Sequence, residues 1–426
     1  MAEPVAHSGP RRALVLSGGG ARGAYEAGVL AHVFEHVLPE LGPEAHFEVV
    51  SGTSVGAVHA AFTAATSHLP GPERAARLIG TWDSMEISQV FRLDARDLLG
   101  IPLRALGVAT QRRSTAGSVG GLIDVSPLED LVRNRVPWSE LHRNLYERRP
   151  AALCVSCTEI RSGRVTVFLD GPLGNTTPWL HDPNSQAISV PLTPQHVRAS
   201  AAIPFLFPAV KLDERYYVDG GLRMNTPLSP ALRLRAERIL VIALKHAPGV
   251  DEDHPPYPES VITQPAFLLG KVLDALTLDQ LEYELHRIGL VNALLDRGTE
   301  VYGSDFAERI NATVREKRGV GFRPVRDVTI RPSEDIGTLA ARCFRKSGKA
   351  RRLGLLPSLV ARAASAGVPN DEADLLSYIY FDREFTRELI EMGIEDARTR
   401  HGDLLELLCE QPPRDADEPP PRDEAL

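Results

Sequence analysis

The chain is poor in cysteine. Four cysteines occur in 426 residues, too few for the disulfide framework of a secreted protein of this length. Cys154 and Cys157 form a single C-x-x-C inside a strand-like run, and a zinc site would need two more ligands at a suitable spacing. We therefore expect buried, weakly reactive thiols, a reducing compartment and no bound metal.

The chain also lacks long apolar runs and an excess of positive charge. No stretch approaches the ~18 consecutive apolar residues of a membrane-spanning helix, and the N-terminal MAEPVAHSGPRR contains no apolar segment of a secretory signal. The formal net charge is −8 and no basic stripe runs through a domain, so nucleic acid is not an expected partner. We expect a cytoplasmic protein that meets membranes only peripherally. The sequence leaves the oligomeric state undetermined.

A strand–glycine turn–helix pattern occurs twice in the first seventy residues. The apolar run Arg12–Leu16 leads into a glycine turn and a helical pattern over Ala24–Leu38. Phe47–Val50 leads into a second turn and the small-residue helix Val55–Thr66. This order is typical of a parallel α/β sheet. The further predicted strands are Ala151–Cys157, Val165–Leu169, Tyr216–Val218 and Ile239–Leu244.

The first turn, Gly18-Gly19-Gly20-Ala21-Arg22-Gly23, is compatible with two chemistries. Backbone without side chains can approach a ligand closely, and the free N–H groups at a helix start attract negative charge. Those groups could hold the pyrophosphate of a dinucleotide, or they could stabilise the oxyanion of acyl transfer. A tight structural turn is a third reading, and the motif alone does not decide among them.

Two further motifs carry candidate chemistry. Gly52-Thr53-Ser54-Val55-Gly56 is a nucleophile-elbow pattern, in which both glycines allow a serine on a sharp turn to lie against neighbouring backbone. Asp219-Gly220-Gly221 follows a strand-like run and puts a carboxylate where another loop can approach it closely. Asp-Gly is also a common plain turn.

Together the three motifs resemble the patatin-like phospholipase family. The order GGGARGAYEAG, GTSVG and DGG, with RASAAIPFLFPA shortly before the last motif, matches that family's pattern over about residues 12–245. The resemblance implies that Ser54 is the nucleophile and Asp219 its proton acceptor. It also implies an oxyanion hole from the backbone of Gly18–Gly23, with Arg22 fixing the loop, and a phospholipid or other acyl-ester lipid as substrate.

The fold that follows is a three-layer α/β/α sandwich with a mainly parallel central sheet and a mostly helical C-terminal extension. The helical patterns beyond the shared domain cover Ala266–Leu295, Gly337–Lys349 and Asp371–Arg398. The predicted organisation is an N-terminal tail (1–11), a patatin-like catalytic domain (12–245) with a cap or surface insertion (69–138), a proline- and acid-rich linker (246–260), a mostly helical region (261–410) and a disordered acidic tail (411–426). No organic cofactor is expected.

Three alternative functions stay open at this stage. A Ser–Asp–His triad would use His246, which follows an apolar strand. A dinucleotide-binding oxidoreductase would need an acidic residue at the end of the second strand, where Ser51-Gly52-Thr53-Ser54 stands instead. A non-enzymatic lipid- or protein-binding protein on the same scaffold would leave Ser54 and Asp219 without a catalytic role.

A cluster of positive charge suggests how such a protein could reach a lipid surface. Six cations and no acid lie in the segment from Arg342 to Arg352, followed by three leucines: Arg342, Arg345, Lys346, Lys349, Arg351, Arg352, then Leu353, Leu355 and Leu356. Near an anionic membrane each cation contributes about 1 kcal/mol. Docking on anionic membranes is therefore a hypothesis, and a solvated surface balanced by nearby acids is the alternative.

Overall fold

The computed structural model describes residues 10–42, 45–85, 90, 118–119, 126–204, 207–246, 281–346 and 374–409. Within these ranges ten strands form one sheet: β1 Arg12–Leu16, β2 Val49–Thr53, β3 Ser118–Val119, β4 Ala152–Glu159, β5 Val165–Asp170, β6 Ser185–Ser189, β7 Ala209–Leu212, β8 Arg215–Asp219, β9 Arg238–Ile242 and β10 Arg326–Ile330.

The helices of the same ranges cover both faces of this sheet. They are α1 Gly23–His32, α2 Leu38–Glu40, α3 Val55–Ala65, α4 Gly71–Asp83, α5 Ser126–Arg135, α6 Trp138–Tyr146, α7 Pro194–Ser200, α8 Leu228–Arg233, α9 Leu281–Tyr302, α10 Phe306–Arg318, α11 Ile336–Lys346, α12 Asp374–Ile379, α13 Arg383–Thr399 and α14 His401–Leu408. Gly20–Arg22, Thr177–Trp179 and Gly220–Leu222 form short 3-10 turns, and a π-helical turn over Val33–Val37 joins α1 to α2.

The sheet is mainly parallel. Its order is β10-β9-β1-β2-β4-β8-β7-β3, and the strands from β10 to β4 are all mutually parallel. The strands β7, β8 and β3 pair antiparallel, as does β5 with β4. The parallel half places several strand ends at one edge of the sheet, where loops from different parts of the chain meet.

Side chains of alternating strand residues pack into two hydrophobic cores, one on each face of the sheet. Leu14 and Leu16 of β1 face the core that contains α1 and α3, whereas Ala13 and Val15 face the core beneath α8 and α9. All four side chains are fully buried. Two cores on opposite faces of one sheet make the molecule the predicted three-layer α/β/α sandwich.

The strand β4 also explains the C-x-x-C. Cys154 lies in the core beneath α8 and Cys157 in the core beneath α3, so the two thiols lie on opposite faces of the sheet. Both cysteines are free, and burial raises the pKa of both thiols. The prediction that these two thiols are buried is confirmed.

The C-terminal region is integrated into the same layers. Its strand β10 pairs with β9 at one edge of the sheet, in a region that the sequence analysis predicted to be mostly helical and in which it proposed no strand. Its helix α13 crosses α1 closely, because Gly28 and Gly393 let the two backbones approach: a Cβ atom on Gly28 would lie 2.1 Å from the carbonyl oxygen of Ile390. The hydroxyl of Tyr25 donates to Asp396 at 2.9 Å across this contact.

Several predicted segments differ from the observed ones or lie outside the described residues. The second strand runs on to Thr53, so that Ser51 and Gly52 belong to it rather than to a turn. The strands β3, β6, β7 and β10 were not predicted from the sequence, and three of them, β3, β6 and β10, lie at edges of the sheet. Most of the proposed insertion (69–138), residues 247–260 of the linker and residues 411–426 lie outside the described residues.

Candidate active site

The strand β4 brings the serine and aspartate motifs together. On one edge of β4, Ser156 pairs with Thr53 of β2 and the next residue, Cys157, pairs with Asp219 of β8. The strand β5 occupies the opposite edge over this whole stretch. Because β2 is parallel and β8 antiparallel to β4, the C-terminal ends of β2 and β8 meet. Ser54, the residue after Thr53, therefore lies beside Asp219.

The backbone of Ser54 is in a sparsely populated conformation. Its φ is 55° and its ψ is −123°, at the junction between β2 and α3. A non-glycine residue held there costs on the order of 1–3 kcal/mol, which the surrounding packing must offset. The flanking glycines make the turn sterically feasible: a Cβ on Gly52 would lie 2.2 Å from the carbonyl oxygen of Gly56, and one on Gly56 2.4 Å from that of Leu16.

A second serine supports the elbow. The Ser54 N–H donates to the hydroxyl of Ser200 at 2.9 Å, and that hydroxyl donates to the carbonyl oxygen of Ser156 at 2.6 Å. Ser200 is fully buried at the end of α7. The sequence analysis did not assign it a role, although it lies inside the segment RASAAIPFLFPA that supported the resemblance.

Asp219 is a buried carboxyl group. One of its oxygens accepts the Gly221 N–H at 2.7 Å. Burial raises the pKa of Asp219 to about 6, while the hydrogen bonds from the Gly221 N–H and the Ser54 side chain act in the opposite direction. Gly220 lets this turn pass against β4, because a Cβ there would lie 2.2 Å from the carbonyl oxygen of Ser156. The site therefore places a buried carboxyl group with a raised pKa beside the Ser54 side chain.

The glycine turn lies directly over Ser54. The N–H of Gly18 donates to the main-chain oxygen of Asn225 at 3.1 Å, so this N–H is already used. In the part of the chain that the structure describes, the N–H groups of Gly19 and Gly20 donate to no other residue. Gly23, the first residue of α1, packs against Val55. Of the predicted oxyanion-hole residues, Gly19 and Gly20 thus offer unused donors.

Arg22 connects this turn to the C-terminal region. The side chain is buried, its Nε donates to the hydroxyl of Ser377 at 2.7 Å, and its guanidinium lies 4.1 Å from the centre of the Tyr378 ring. A Cβ on Gly20 would lie 2.3 Å from the carbonyl oxygen of Tyr378. Helix α12 therefore packs on the glycine turn, which no signal in the sequence indicated.

An apolar cavity opens from Ser54. Its walls come from α3, α4, α5, the segment after α7, the end of α12 and the segment after α12. They include Val58, Phe62, Leu78, Leu131, Ile203, Tyr378 and Phe381. Trp82 stacks on Phe381 with ring centres 6.3 Å apart. The lining is almost entirely hydrophobic, so the cavity suits a hydrocarbon chain.

His59 lines this cavity but is not free to act as a base. Its Nδ1 lies 2.8 Å from Glu26, and its Nε2 accepts the indole N–H of Trp82 at 3.0 Å. Burial lowers the pKa of His59 to about 3 and raises that of Glu26 well above its usual range. Since both ring nitrogens are engaged, the neutral imidazole has a structural role between α1, α3 and α4.

His246 lies elsewhere. It follows β9, and its Nδ1 donates to the carbonyl oxygen of Pro332 at 2.7 Å. It is not among the described residues that line the cavity at Ser54. The histidine that the triad alternative requires, His246, is therefore not placed in the cavity at Ser54.

Within the described residues, the structure shows neither a candidate metal site nor a candidate membrane-spanning helix. These residues contain no group of three or more His, Cys, Asp and Glu side chains arranged to hold a metal ion. Nor do they contain a helix with the length and apolar character needed to cross a membrane.

The proposed membrane-docking cluster is described only in part. Arg342 pairs with Glu334 and lies 3.4 Å from Glu388, whereas Lys349, Arg351 and Arg352 and the three leucines lie outside the described residues. Membrane docking through this cluster stays a prediction.

Comparison with known proteins gives a family match and several distant structural likenesses. A sequence model of the family described as patatin-like phospholipase matches residues 14–232. Comparison with curated proteins gave no significant match. Among solved structures, the chain is similar to VipD from Legionella pneumophila at 15% identity and a TM-score of 0.31, over 90% of this chain and 67% of that one.

The second structural likeness is to human GIVD cytosolic phospholipase A2, solved in complex with methyl gamma-linolenyl fluorophosphonate. The identity is 12% and the TM-score 0.40, over 94% of this chain and 58% of that one. The chain thus spans less than two thirds of the length of the human enzyme, and the likeness concerns the fold alone.

Proposed function

Because this chain belongs to the patatin-like phospholipase family, we propose that it hydrolyses the fatty-acyl ester bonds of lipids through a Ser54–Asp219 dyad. The observation that carries the proposal is the position of Asp219 beside Ser54, where its carboxyl group interacts with the Ser54 side chain. Both candidate histidines have other partners, so Asp219 is the base that the described site offers.

The reaction follows from the positions of these groups. Asp219 takes the hydroxyl proton of Ser54 as Oγ attacks the ester carbonyl carbon, and the carbonyl electron pair moves onto oxygen. The N–H groups of Gly19 and Gly20 stabilise this oxyanion. Collapse breaks the bond to the alcohol, which leaves with the proton from Asp219. Water then attacks the acyl carbonyl carbon of the acyl-enzyme while Asp219 takes one of its protons. Collapse of this second tetrahedral intermediate breaks the bond between the acyl group and Ser54 Oγ, Asp219 returns the proton to Oγ, and the fatty acid is released.

The apolar cavity supports a lipid rather than a small polar ester as substrate. A hydrocarbon chain bound against Phe62, Leu131 and Phe381 would bury apolar surface at roughly 25 cal/mol per Å². The ester carbonyl at the end of such a chain would then lie at Ser54, at the mouth of the cavity. The proposed substrate class is therefore an acyl ester of a phospholipid or a lysophospholipid.

The proposed functional unit extends past the predicted domain boundary at residue 245. Ser377 and Tyr378 hold Arg22, and Tyr378 and Phe381 form part of the cavity wall. These contacts favour a single unit in which the C-terminal region completes the site built by the first half of the chain.

The test is a lipid-class panel assayed with the wild type, Ser54→Ala and the matched control Ser333→Ala, whose side chain is exposed. Fatty-acid release and labelling by a fluorophosphonate probe should be present in the wild type and the control. Both should fall by several orders of magnitude in Ser54→Ala, because a covalent mechanism loses its nucleophile. Equal labelling of all three proteins would remove Ser54 from the mechanism.

A further inference from the structure

A second cavity lies on the opposite face of the sheet from the Ser54 cavity. Its volume is about 300 Å³, and it is lined by the segment before β6, helix α8 and the segment leading into it, helix α9, the end of α10 and the segment between α10 and β10. Five arginines line it, against two acidic residues, Asp182 and Glu284. The arginines are Arg223, Arg233, Arg287, Arg318 and Arg323.

Most of this positive charge is not matched inside the cavity. Arg233 forms an ion pair with Asp182 and also donates to the carbonyl oxygen of Pro178. Arg323 donates to the carbonyl oxygen of Arg235 and lies 3.9 Å from the carboxylate of Glu237. In the described part of the chain, Arg223, Arg287 and Arg318 form no ion pair. Arg287 and Arg318 instead lie over the rings of Tyr283 and Phe322.

The arginines repel one another. The pKa of Arg318 is lowered to about 10, first by burial and then by the charges of Arg233, Arg287 and Arg323. A cluster of like charges in a partly buried cavity costs free energy that a bound anion would offset. The protein therefore maintains an electrostatic environment that is unfavourable when the cavity is empty and favourable when an anion occupies it.

The chemistry of the lining narrows the class of anion. Several guanidinium groups present planar pairs of N–H donors, which suit the oxygens of a phosphate group. The hydroxyls of Ser185 and Ser229 add neutral donors, and Val165, Met224 and Phe322 contribute apolar surface to the lining. We propose that this cavity binds a phosphate group carried by a small organic molecule or by a lipid head group. The proposal does not depend on the hydrolase mechanism.

The experiment uses the full chain with Ser54→Ala, so that no lipid is consumed. Isothermal titration with inorganic pyrophosphate at constant ionic strength tests the free anion. Co-sedimentation with phosphatidylcholine vesicles, with and without one fifth phosphatidic acid, tests the lipid head group. We expect saturable binding of one pyrophosphate per chain, of the phosphatidic acid vesicles, or of both.

Charge-matched variants then locate the site. Arg287→Gln with Arg318→Gln removes two cavity charges, and Arg77→Gln with Arg297→Gln removes two exposed charges elsewhere. The cavity pair should weaken binding at least tenfold, because charge-assisted hydrogen bonds are lost, and the control pair should leave it within twofold. Arg287→Gln alone, at an exposed helix position, keeps the test usable if the double variant fails to fold. Equal binding by cavity and control variants, or binding of neither probe, would overturn the proposal.

Discussion

Asn225 holds Gly18 at both of its peptide groups. The Gly18 N–H donates to the main-chain oxygen of Asn225 at 3.1 Å, and the Asn225 side-chain amide donates to the Gly18 carbonyl oxygen at 3.2 Å. A Cβ on Gly18 would lie 2.6 Å from the Asn225 side chain and 3.1 Å from the Cβ of Ser54. Asn225 therefore fixes the residue that precedes the two unused N–H donors at Gly19 and Gly20.

Asn225→Ala is expected to lower kcat by roughly ten- to a hundredfold with little change in KM. We expect this loss because the turn that presents the proposed oxyanion donors, the N–H groups of Gly19 and Gly20, is no longer held in place. Misplacing such a donor lowers kcat on this scale. Steady-state kinetics on a chromogenic acyl ester measure the effect. Asn175→Ala, which alters a loop asparagine bonded only to its own turn, is the control. An unchanged kcat for Asn225→Ala would show that Asn225 has no positioning role.

Asp219→Asn should be nearly as damaging as loss of the nucleophile, whereas His246→Ala should cost less than tenfold. Asparagine keeps the size of the side chain but cannot accept a proton, so the proposed dyad loses its base. His246 donates to Pro332 away from the cavity, so its removal should disturb only a loop contact. The comparison is made by kcat/KM on one substrate. Similar losses in the two variants would favour the triad over the dyad.

The pH dependence of hydrolysis should report the Asp219 carboxyl group. Because burial raises the pKa of Asp219 to about 6, the base form predominates above that pH and disappears below it. We expect kcat/KM to be constant from about pH 7 upward and to fall about tenfold for each pH unit well below 6. A histidine base would give a similar midpoint, so the profile is repeated with His246→Ala. The same midpoint in both proteins supports Asp219, and activity independent of pH from 8 to 5 contradicts it.

Asp219→Asn should also stabilise the fold at neutral and higher pH. The pKa of the Asp219 carboxyl group is about 6 in the folded protein, which is above the ordinary pKa of an aspartate in the unfolded chain. The free energy of unfolding therefore decreases as the pH rises from the unfolded-state pKa to the folded-state pKa. Asparagine removes that cost, which is on the order of 2–3 kcal/mol. The variant should melt at a higher temperature than the wild type at pH 8 and at the same temperature at pH 4. The exposed Asp213→Asn serves as control, and equal melting temperatures at pH 8 would exclude a buried carboxylate cost.

Tyr378→Ala, a substitution in the C-terminal region, should lower the hydrolytic activity of the proposed active site. The Tyr378 ring covers the Arg22 guanidinium at 4.1 Å and forms part of the cavity wall. Its removal should reduce kcat/KM for long-chain esters by about tenfold or more, since both acyl packing and the position of the glycine turn are affected. Tyr146→Ala, at a position 88% exposed, is the control. Equal activity of the two variants would show that the catalytic unit ends before the C-terminal region.

Strands were predicted best from the sequence where a short run of apolar residues and the turn after it give a strong local pattern. The strand Arg12–Leu16 was predicted with its observed bounds, because a short, fully buried run ends in three glycines. The sequence analysis did not predict two edge strands, Ser185–Ser189 and Arg326–Ile330. These strands are only partly buried and show little apolar periodicity. Strand β10 joins the sheet through pairing with a strand far away in the sequence, which local patterning does not register.

The sequence by itself determined the family, the α/β class and the three motifs around Ser54, Asp219 and the glycine turn. It could do so because each motif is short and its steric demands act within a few residues. The tertiary structure alone decided which distant residues meet: β4 joins the ends of β2 and β8, Asn225 holds Gly18, and Ser377 and Tyr378 hold Arg22. These contacts depend on strand order and on helix packing across the sheet, and the arginine-lined cavity arises in the same way from segments far apart in the chain.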